Sequence, residues 1–229
     1  MLFTIADLHL PLGIDKPMDI FGSRWEGYVD RIYENWQEVV GETDTVVLPG
    51  DISWATYLNE SKADFEFLEK LNGRKIIIKG NHDYWWTTMT KLNEFVEYEG
   101  YKSVSFLQNN SFVADGVSIC GTRGWICPGS AGFSSEDEKY FLRESGRLEM
   151  SLKTAKTDKI YVFTHYPPMT PQGEGNAFTE VLKRYNVEKC FYGHLHGKSH
   201  SKCVPQNVDG IHYELISSDY LSFRPKRIV

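Results

Sequence analysis

Carboxylates, imidazoles and one amide oxygen recur in five short segments of this chain: Asp7-Leu8-His9, Gly50-Asp51, Gly80-Asn81-His82-Asp83, His165 and Gly193-His194-Leu195-His196. Oxygen and nitrogen donors without a thiolate suit transition metals such as Mn, Fe, Zn or Co. Each segment alone has an ordinary reading. Asp7 could cap a turn, Gly50 permits a tight turn with Asp51 beside it, and a lone His165 is unremarkable. Gly80-Asn81-His82-Asp83 says more, because three short polar side chains follow an apolar run where a plain turn needs one. Two imidazoles at His194 and His196 also seldom arise by chance in a core. Five of the seven histidines fall inside these segments, and only His200 and His212 lie outside. Their coincidence across five segments points to a metal site.

The segments share a context. Apolar or β-branched runs at residues 2–6, 45–48, 75–78 and 160–163, with a shorter one at 190–192, precede them and read as buried strands. Side chains at the ends of neighbouring strands meet in space although far apart in sequence. Strand side chains alternate with period two, so Asp7 and His9 are expected on one face, sharing one ion, and His194 and His196 on one face of an extended segment.

Between the runs lie helical patterns. Trp25, Tyr28, Val29, Ile32, Trp36, Val39 and Val40 recur at three and four and predict an amphipathic helix ended by Gly41. Residues 64–71 read as a second helix, and Met89, Leu92, Phe95 and Val96 mark a third. Strands alternating with helices predict parallel pairing through residue 82. Residues 103–121 are strand-like and rich in turns, with a hairpin signal at Asp115-Gly116. Ser135 and Glu138 predict a capping box for a helix running to about residue 155. A helix near 177–185 and a closing strand near 212–216 follow. The stretch 10–23, with Pro11, Gly13, Pro17 and Gly22, is irregular.

If Asp7 and His196 belong to one site, the first and last of these strands pack together, so residues 1–229 are expected to form one domain. The composition, 41% hydrophobic and 24% charged, is that of a soluble globular protein. A formal charge of −6 argues against a stable nucleic-acid partner, although two divalent cations would add about +4 locally and admit an anionic small molecule. The N-terminal segment shows no signal-peptide pattern, no stretch is long enough to span a bilayer, and Cys120, Cys127, Cys190 and Cys203 form no C-x-x-C pair. A cytoplasmic protein with reduced structural cysteines and no membrane association is expected.

In order, spacing and strand context, the stretch from Asp7 to His196 resembles the calcineurin-like metallophosphoesterase superfamily. The resemblance implies an α/β (α+β) fold: a four-layer αββα sandwich of two mixed β-sheets flanked by helices. It further implies two transition-metal ions, one held by Asp7, His9, Asp51 and His196, the other by Asp51, Asn81, His165 and His194, with Asp51 bridging. A carboxylate that bridges two cations roughly 3.5 to 4 Å apart lets a shared water lose its proton near neutral pH and attack phosphorus in line. His82, beside Asn81 but not itself a ligand, is the candidate for protonating the leaving oxygen or binding the phosphate. The implied activity is hydrolysis of a small-molecule phosphomonoester or phosphodiester. A nucleotide or cyclic-nucleotide phosphodiesterase is the alternative within the enzyme class, and a catalytically silent metal-binding scaffold the alternative outside it.

Two departures set the chain apart from the protein Ser/Thr phosphatases of that superfamily. Asp51 is followed by Ile52-Ser53-Trp54-Ala55 where those enzymes carry Asp-Arg-Gly, and His82 by Asp83 where they carry Glu. The first removes the carboxylate that orients their catalytic histidine. Substrate contacts are expected from neighbouring segments. Trp85, within Tyr84-Trp85-Trp86, could stack on a ring or pack over a helix start. Arg123 could clamp a phosphate or carboxylate, or be a surface arginine. The loop 10–24 could cover the site or merely connect.

Overall fold

The computed structural model describes every residue except Pro17, Asp19 and Phe21, so the Pro17 of the irregular stretch lies outside the described residues. Two sheets carry the fold. In the first, β1 (Leu2–Thr4), β2 (Thr45–Pro49), β3 (Arg74–Ile78) and β4 (Val104–Phe106) run parallel in that order. They are linked by helices α1 (Tyr28–Val39), α2 (Lys62–Lys70) and α3 (Met89–Glu99). In the second, β6 (Val117–Thr122), β7 (Ile160–Thr164), β8 (Lys189–Tyr192) and β10 (Ile211–Leu215) are parallel neighbours. Helices α4 (Ser135–Leu152) and α5 (Ala177–Arg184) join them. Antiparallel edge strands make both sheets mixed: β11 (Lys226–Arg227) on β1, β5 (Phe112–Ala114) on β6 and β9 (Asn207–Val208) on β10.

Period-two alternation assigns each strand residue to a layer. Val46, Leu48 and Ile77 pack with Ile32, Trp36, Phe65 and Leu92 of the first helices, whereas Val47, Ile76 and Ile78 turn inward. Across the centre, Ile119, Tyr161, Phe163 and Phe191 meet them, while Val162, Cys190 and Tyr213 face Phe141, Leu148 and Phe178 of α4 and α5. Three apolar layers therefore separate four layers of secondary structure, the αββα sandwich. Each large apolar side chain buried in the central layer contributes roughly 1.5–3 kcal/mol. The sheets are stitched together at one end. Ala6, just past β1, bridges Ser217, just past β10, through Ala6 N–H to the Ile216 carbonyl and Ser218 N–H to the Ala6 carbonyl, both 2.9 Å.

Asp115 and Gly116 both adopt positive φ and close the β5–β6 hairpin. Two helix starts differ from expectation. The capping box of α4 is Ser134 with Asp137, one residue earlier than the Ser135 and Glu138 pair. Ser134 is the extended residue, and its hydroxyl accepts the Asp137 N–H at 3.3 Å. The apolar series beginning at Trp25 is not one helix: Ser23–Trp25 is a 3-10 turn, and Gly27, at φ 58°, separates it from α1. All four cysteines are free thiols. No helix among the described residues is long and apolar enough to cross a membrane.

Candidate metal centre

The five sequence segments end up on the stitched rim, at the carboxyl ends of β1, β2, β3, β7 and β8. The first sheet supplies Asp7, His9, Asp51, Asn81 and His82, the second His165, His194 and His196. Backbone bonds lock the loops to one another: Asp7 N–H to the Gly50 carbonyl, His9 N–H to the Asp51 carbonyl, Gly193 N–H to the His165 carbonyl. Close approach requires glycine at two positions. A Cβ on Gly80 would lie 2.1 Å from Asp51 Oδ1, and one on Gly193 2.6 Å from Asp7 Oδ2.

Strand periodicity does not explain how the side chains converge. Asp7, His9, Asp51 and His194 all adopt left-handed backbone, with φ of 61°, 48°, 51° and 72°. Such conformations cost roughly 1–3 kcal/mol each and cluster where geometry serves function. The expectation of two side chains on one face of an extended segment therefore fails in its reasoning at Asp7 and His9, although both join the same cluster. At His194 and His196 it fails in outcome: the two imidazoles turn to different clusters.

In the first cluster the Nε2 atoms of His9 and His196 are 3.3 Å apart, His196 Nε2 is 3.9 Å from Asp7 Oδ1, and His9 Nε2 is 3.8 Å from Asp51 Oδ2. In the second, Asn81 Oδ1 lies 2.6 Å from His165 Nε2 and 2.8 Å from His194 Nδ1, and the two imidazole nitrogens are 3.3 Å apart. Asp51 Oδ2 sits 3.4 Å from His165 Nε2. One carboxylate oxygen thus faces an imidazole of each cluster. Asp7, His9 and His196, and separately Asp7, Asp51 and His165, are grouped closely enough to hold an ion.

The proton inventory shows that the donors fit a cation. His165 Nδ1 faces the Pro49 carbonyl at 3.1 Å and Asp7 Oδ1 at 3.4 Å, so the single proton of the neutral ring belongs on Nδ1. Nε2 then presents a bare lone pair to the Asn81 oxygen and the Asp51 carboxylate. The Nδ1 of His9 is buried with no partner among the described residues. Burial pulls His165 down to about 3 and His194 to about 2, and pulls His9 well below its ordinary value. These rings are therefore neutral, as metal ligands must be. Burial pushes Asp7 up to about 7 and Asp51 up to about 6. The two buried carboxylates face these three uncharged rings, and a cation would offset their charge.

Two carboxylates that the sequence did not assign hold this arrangement. Asp219, 3% exposed, lies past β10 and accepts from His196 Nδ1 at 2.9 Å and from Gly197 N–H at 3.0 Å. It leaves His196 Nε2 free to face the cluster, in the manner of a carboxylate behind a ligating imidazole. Burial lowers the basicity of His196, but the Asp219 hydrogen bond and the Asp7 charge outweigh it and hold the ring above its ordinary value. The short polar run Ser217-Ser218-Asp219 after a strand was the available signal. Asp83, fully buried, accepts N–H bonds from Asp51, Ile52 and Gly80 at 2.7–2.9 Å, and from Trp85 Nε1 at 3.0 Å. It clamps the Asp51 loop onto the Gly80 loop.

His82 lines the same cavity of about 610 Å³ as His9, Asp51, Trp54 and His196. Its N–H donates to Asp51 Oδ1 at 2.8 Å, and its ring lies 4.7 Å from Trp54, which stacks on His9 at 4.6 Å. Among the described residues no carboxylate pairs with the His82 ring, in keeping with the missing Asp-Arg-Gly. From the loop 10–24, Met18 reaches this cavity. A second cavity of about 590 Å³, lined by Trp125, Tyr166, Met169 and Thr170, meets the first at His194. The substrate residues anticipated from sequence sit elsewhere. Trp85, 2% exposed, packs on Phe65 and is tied to Asp83, which removes it from substrate contact. Arg123 lines neither cavity, and its guanidinium lies 3.6 Å from Glu144.

Comparison with known proteins agrees with the fold. Over 142 residues the chain is 32% identical to an uncharacterized protein of Methanocaldococcus jannaschii, covering 62% of this chain and 74% of that one. Among solved structures it resembles a phosphopantetheinyl hydrolase from Mycobacterium tuberculosis (TM-score 0.55, 13% identity, 100% of this chain and 95% of that one). It also resembles a protein of unknown function from Aquifex aeolicus (TM-score 0.53, 17% identity, 99% and 94%). At these identities the structural likeness speaks for the fold alone. The family model described as calcineurin-like phosphoesterase matches residues 2–198, and the chain belongs to that family.

Proposed function

We propose that this protein is a hydrolase of one domain, residues 1–229, that cleaves a small-molecule phosphomonoester or phosphodiester with two transition-metal ions. Asp7, His9, Asp51 and His196 hold one ion, and Asp51, Asn81, His165 and His194 the other. The observation that carries this reading is the approach of His165 Nε2, bare of a proton, to Asn81 Oδ1 at 2.6 Å, with Asp51 Oδ2 facing both clusters. Family membership supports metal-dependent phosphoester hydrolysis in general. Bound there, the ions would polarise the phosphate oxygens and acidify a water to serve as nucleophile.

The chain's own groups supply the rest. Asp51 is fixed by the His82 N–H on Oδ1 and by the Asp83 clamp on its backbone, so Oδ2 keeps one orientation. His82 lines the cavity with no partner for its ring nitrogens among the described residues, and burial lowers its basicity. It is therefore neutral near pH 7, suited to binding the ester or relaying a proton to the leaving oxygen. Trp25, Trp54 and Met18 wall the cavity and limit water around the reacting phosphate. The joined cavities give an organic group of the ester room on either side of His194. The free thiols suit a reducing cytoplasm.

Support for a nucleotide phosphodiesterase through Tyr84-Trp85-Trp86 is weakened, since Trp85 and Trp86 are 2% and 8% exposed and hydrogen-bonded to Asp83 and Gln108. Chelation should abolish hydrolysis, Mn should restore it, and Asp51→Asn should be nearly inactive. Comparing p-nitrophenyl phosphate with its bis ester separates monoester from diester preference. Full turnover by the metal-free protein would end the reading.

A further inference from the structure

We propose that the cleft between the carboxyl ends of β3, β4 and β6 is a second anion site, separate from the metal centre, that takes a phosphoryl or carboxylate group. Lys79 after β3, Arg123 after β6, and Arg143 and Arg147 of α4 line a cavity of about 200 Å³, with Gln108 beyond β4 beside them. The one carboxylate there is Glu144, buried and already engaged: it accepts from Thr122 Oγ1 at 2.6 Å and from Arg147 at 2.6 Å. Arg123 stands 3.6 Å from it, beyond an ordinary hydrogen bond. Among the described residues Lys79 and Arg143 pair with no carboxylate.

Four cations against one anion leave +3 in this cleft, within a chain of net charge −6. Solvated surface cations would not need an anion. Here, however, Lys79 is half-buried, the Arg123 side chain is 16% exposed, and Arg123 Nε is buried without a partner among the described residues. Arg123 also stacks on Trp125 at 4.4 Å, which holds the guanidinium without using its N–H donors. The volume is below the roughly 300 Å³ of ordinary organic-ligand pockets and suits a single anionic group.

The site adjoins the metal centre without sharing a lining residue with its cavities. Lys79 directly precedes Gly80 and Asn81, and the Arg123 carbonyl accepts the His165 and Tyr166 N–H groups at 3.0 Å. The anion can come from two sources, a second acidic group of the substrate or free phosphate. The binding claim stands without the phosphoesterase reading, and only the substrate source rests on it.

Calorimetric titration of inorganic phosphate into the metal-loaded full chain tests the site, with Asp51→Asn as the background in which the metal centre is impaired. Phosphate binding should persist in Asp51→Asn and weaken about tenfold on adding Arg143→Gln, an exposed position, with Lys79→Gln weakening it further. Circular dichroism verifies the fold of each variant. Binding that vanishes with Asp51→Asn alone, or that survives the combined Lys79→Gln and Arg143→Gln unchanged, overturns the proposal. A KM increase in Arg143→Gln confined to a bisphosphate ester, with p-nitrophenyl phosphate unaffected, assigns the site to substrate. A phosphate effect on turnover that Arg143→Gln removes for both esters assigns it to free anion. Absence of hydrolysis would remove the phosphoesterase reading and leave the calorimetric result standing.

Discussion

Asp83→Asn removes one oxygen from a buried carboxylate that organises the Asp51 and Gly80 loops. Oδ2 accepts the N–H groups of Asp51 at 2.9 Å and Gly80 at 2.7 Å, and Oδ1 those of Ile52 at 2.8 Å and Trp85 at 3.0 Å. An asparagine keeps one oxygen and turns an amide NH₂ toward two donors. Two bonds to a charged acceptor are lost, worth roughly 3–6 kcal/mol together. Burial and the Asp51 charge push the Asp83 carboxyl up to about 7, against the N–H groups that pull it down. Near neutrality the charge is incomplete, so the lower end, roughly 3–4 kcal/mol, is expected. For a chain of this length that lowers the melting temperature by roughly 6–16 °C. Urea denaturation of the metal-free protein at pH 7 measures the free energy, and metal titration should show weaker binding because Asp51 loses its backbone support. A stability loss below about 1 kcal/mol, one ordinary hydrogen bond, would refute the role assigned to Asp83.

Three further outcomes are expected. Asp219→Asn preserves an acceptor for His196 Nδ1 but removes the charge, and metal affinity measured against a competing chelator should fall about 10- to 100-fold with the fold unchanged. Asp64, which accepts from Leu12 N–H at 2.8 Å and from the Ser53 hydroxyl, is pushed by burial up to about 7. A carboxyl raised in the folded state contributes stability that is complete below its unfolded value near 3.8 and is lost as pH rises through about 7. The stability of the wild type relative to Asp64→Asn should therefore decline by up to about 4 kcal/mol between pH 4 and 8 in EDTA, and a flat difference would contradict this. Adding Mn at about 100 times its dissociation constant should stabilise the protein by about 2.7 kcal/mol, read as a melting shift of roughly 5–11 °C that Asp51→Asn diminishes.

The candidate site was legible in the sequence because its residues obey a rule about order: each follows an apolar run, and parallel strands bring such ends together. The sandwich was legible less directly, through resemblance, since periodicity shows that Val46 and Val47 face opposite ways but not that a second sheet waits on one side. Local backbone was what the pattern concealed. Asp-x-His and His-x-His look alike, yet His194 is left-handed and His196 extended, so the second pair divides between clusters. Asp219 escaped because it carries no partner motif of its own; only its place after β10, beside Ser217 and its bridge to Ala6, puts it behind His196. Trp85 misled because an aromatic next to a ligand segment can serve the pocket or the core, and that choice depends on Phe65, twenty residues away in the chain.

These placements tie stability to the proposed metal binding. Four site residues in left-handed backbone, Asp7, His9, Asp51 and His194, cost roughly 4–12 kcal/mol together, comparable with the whole stability of a domain. Protein contacts offset part of this: Asp83 on the Asp51 loop, the Ser218 hydroxyl on the Asp7 carbonyl at 2.6 Å, and the Tyr28 hydroxyl on the His9 carbonyl. All three act on backbone and leave His165 Nε2 bare, while Asp7 and Asp51, each accepting a backbone N–H (from His194 and His82), stay buried with their basicity raised. The scaffold fixes where the donors point and leaves their charge unbalanced. A site built in this way would favour a cation, because burial raises both carboxyls and a bound positive charge offsets that cost.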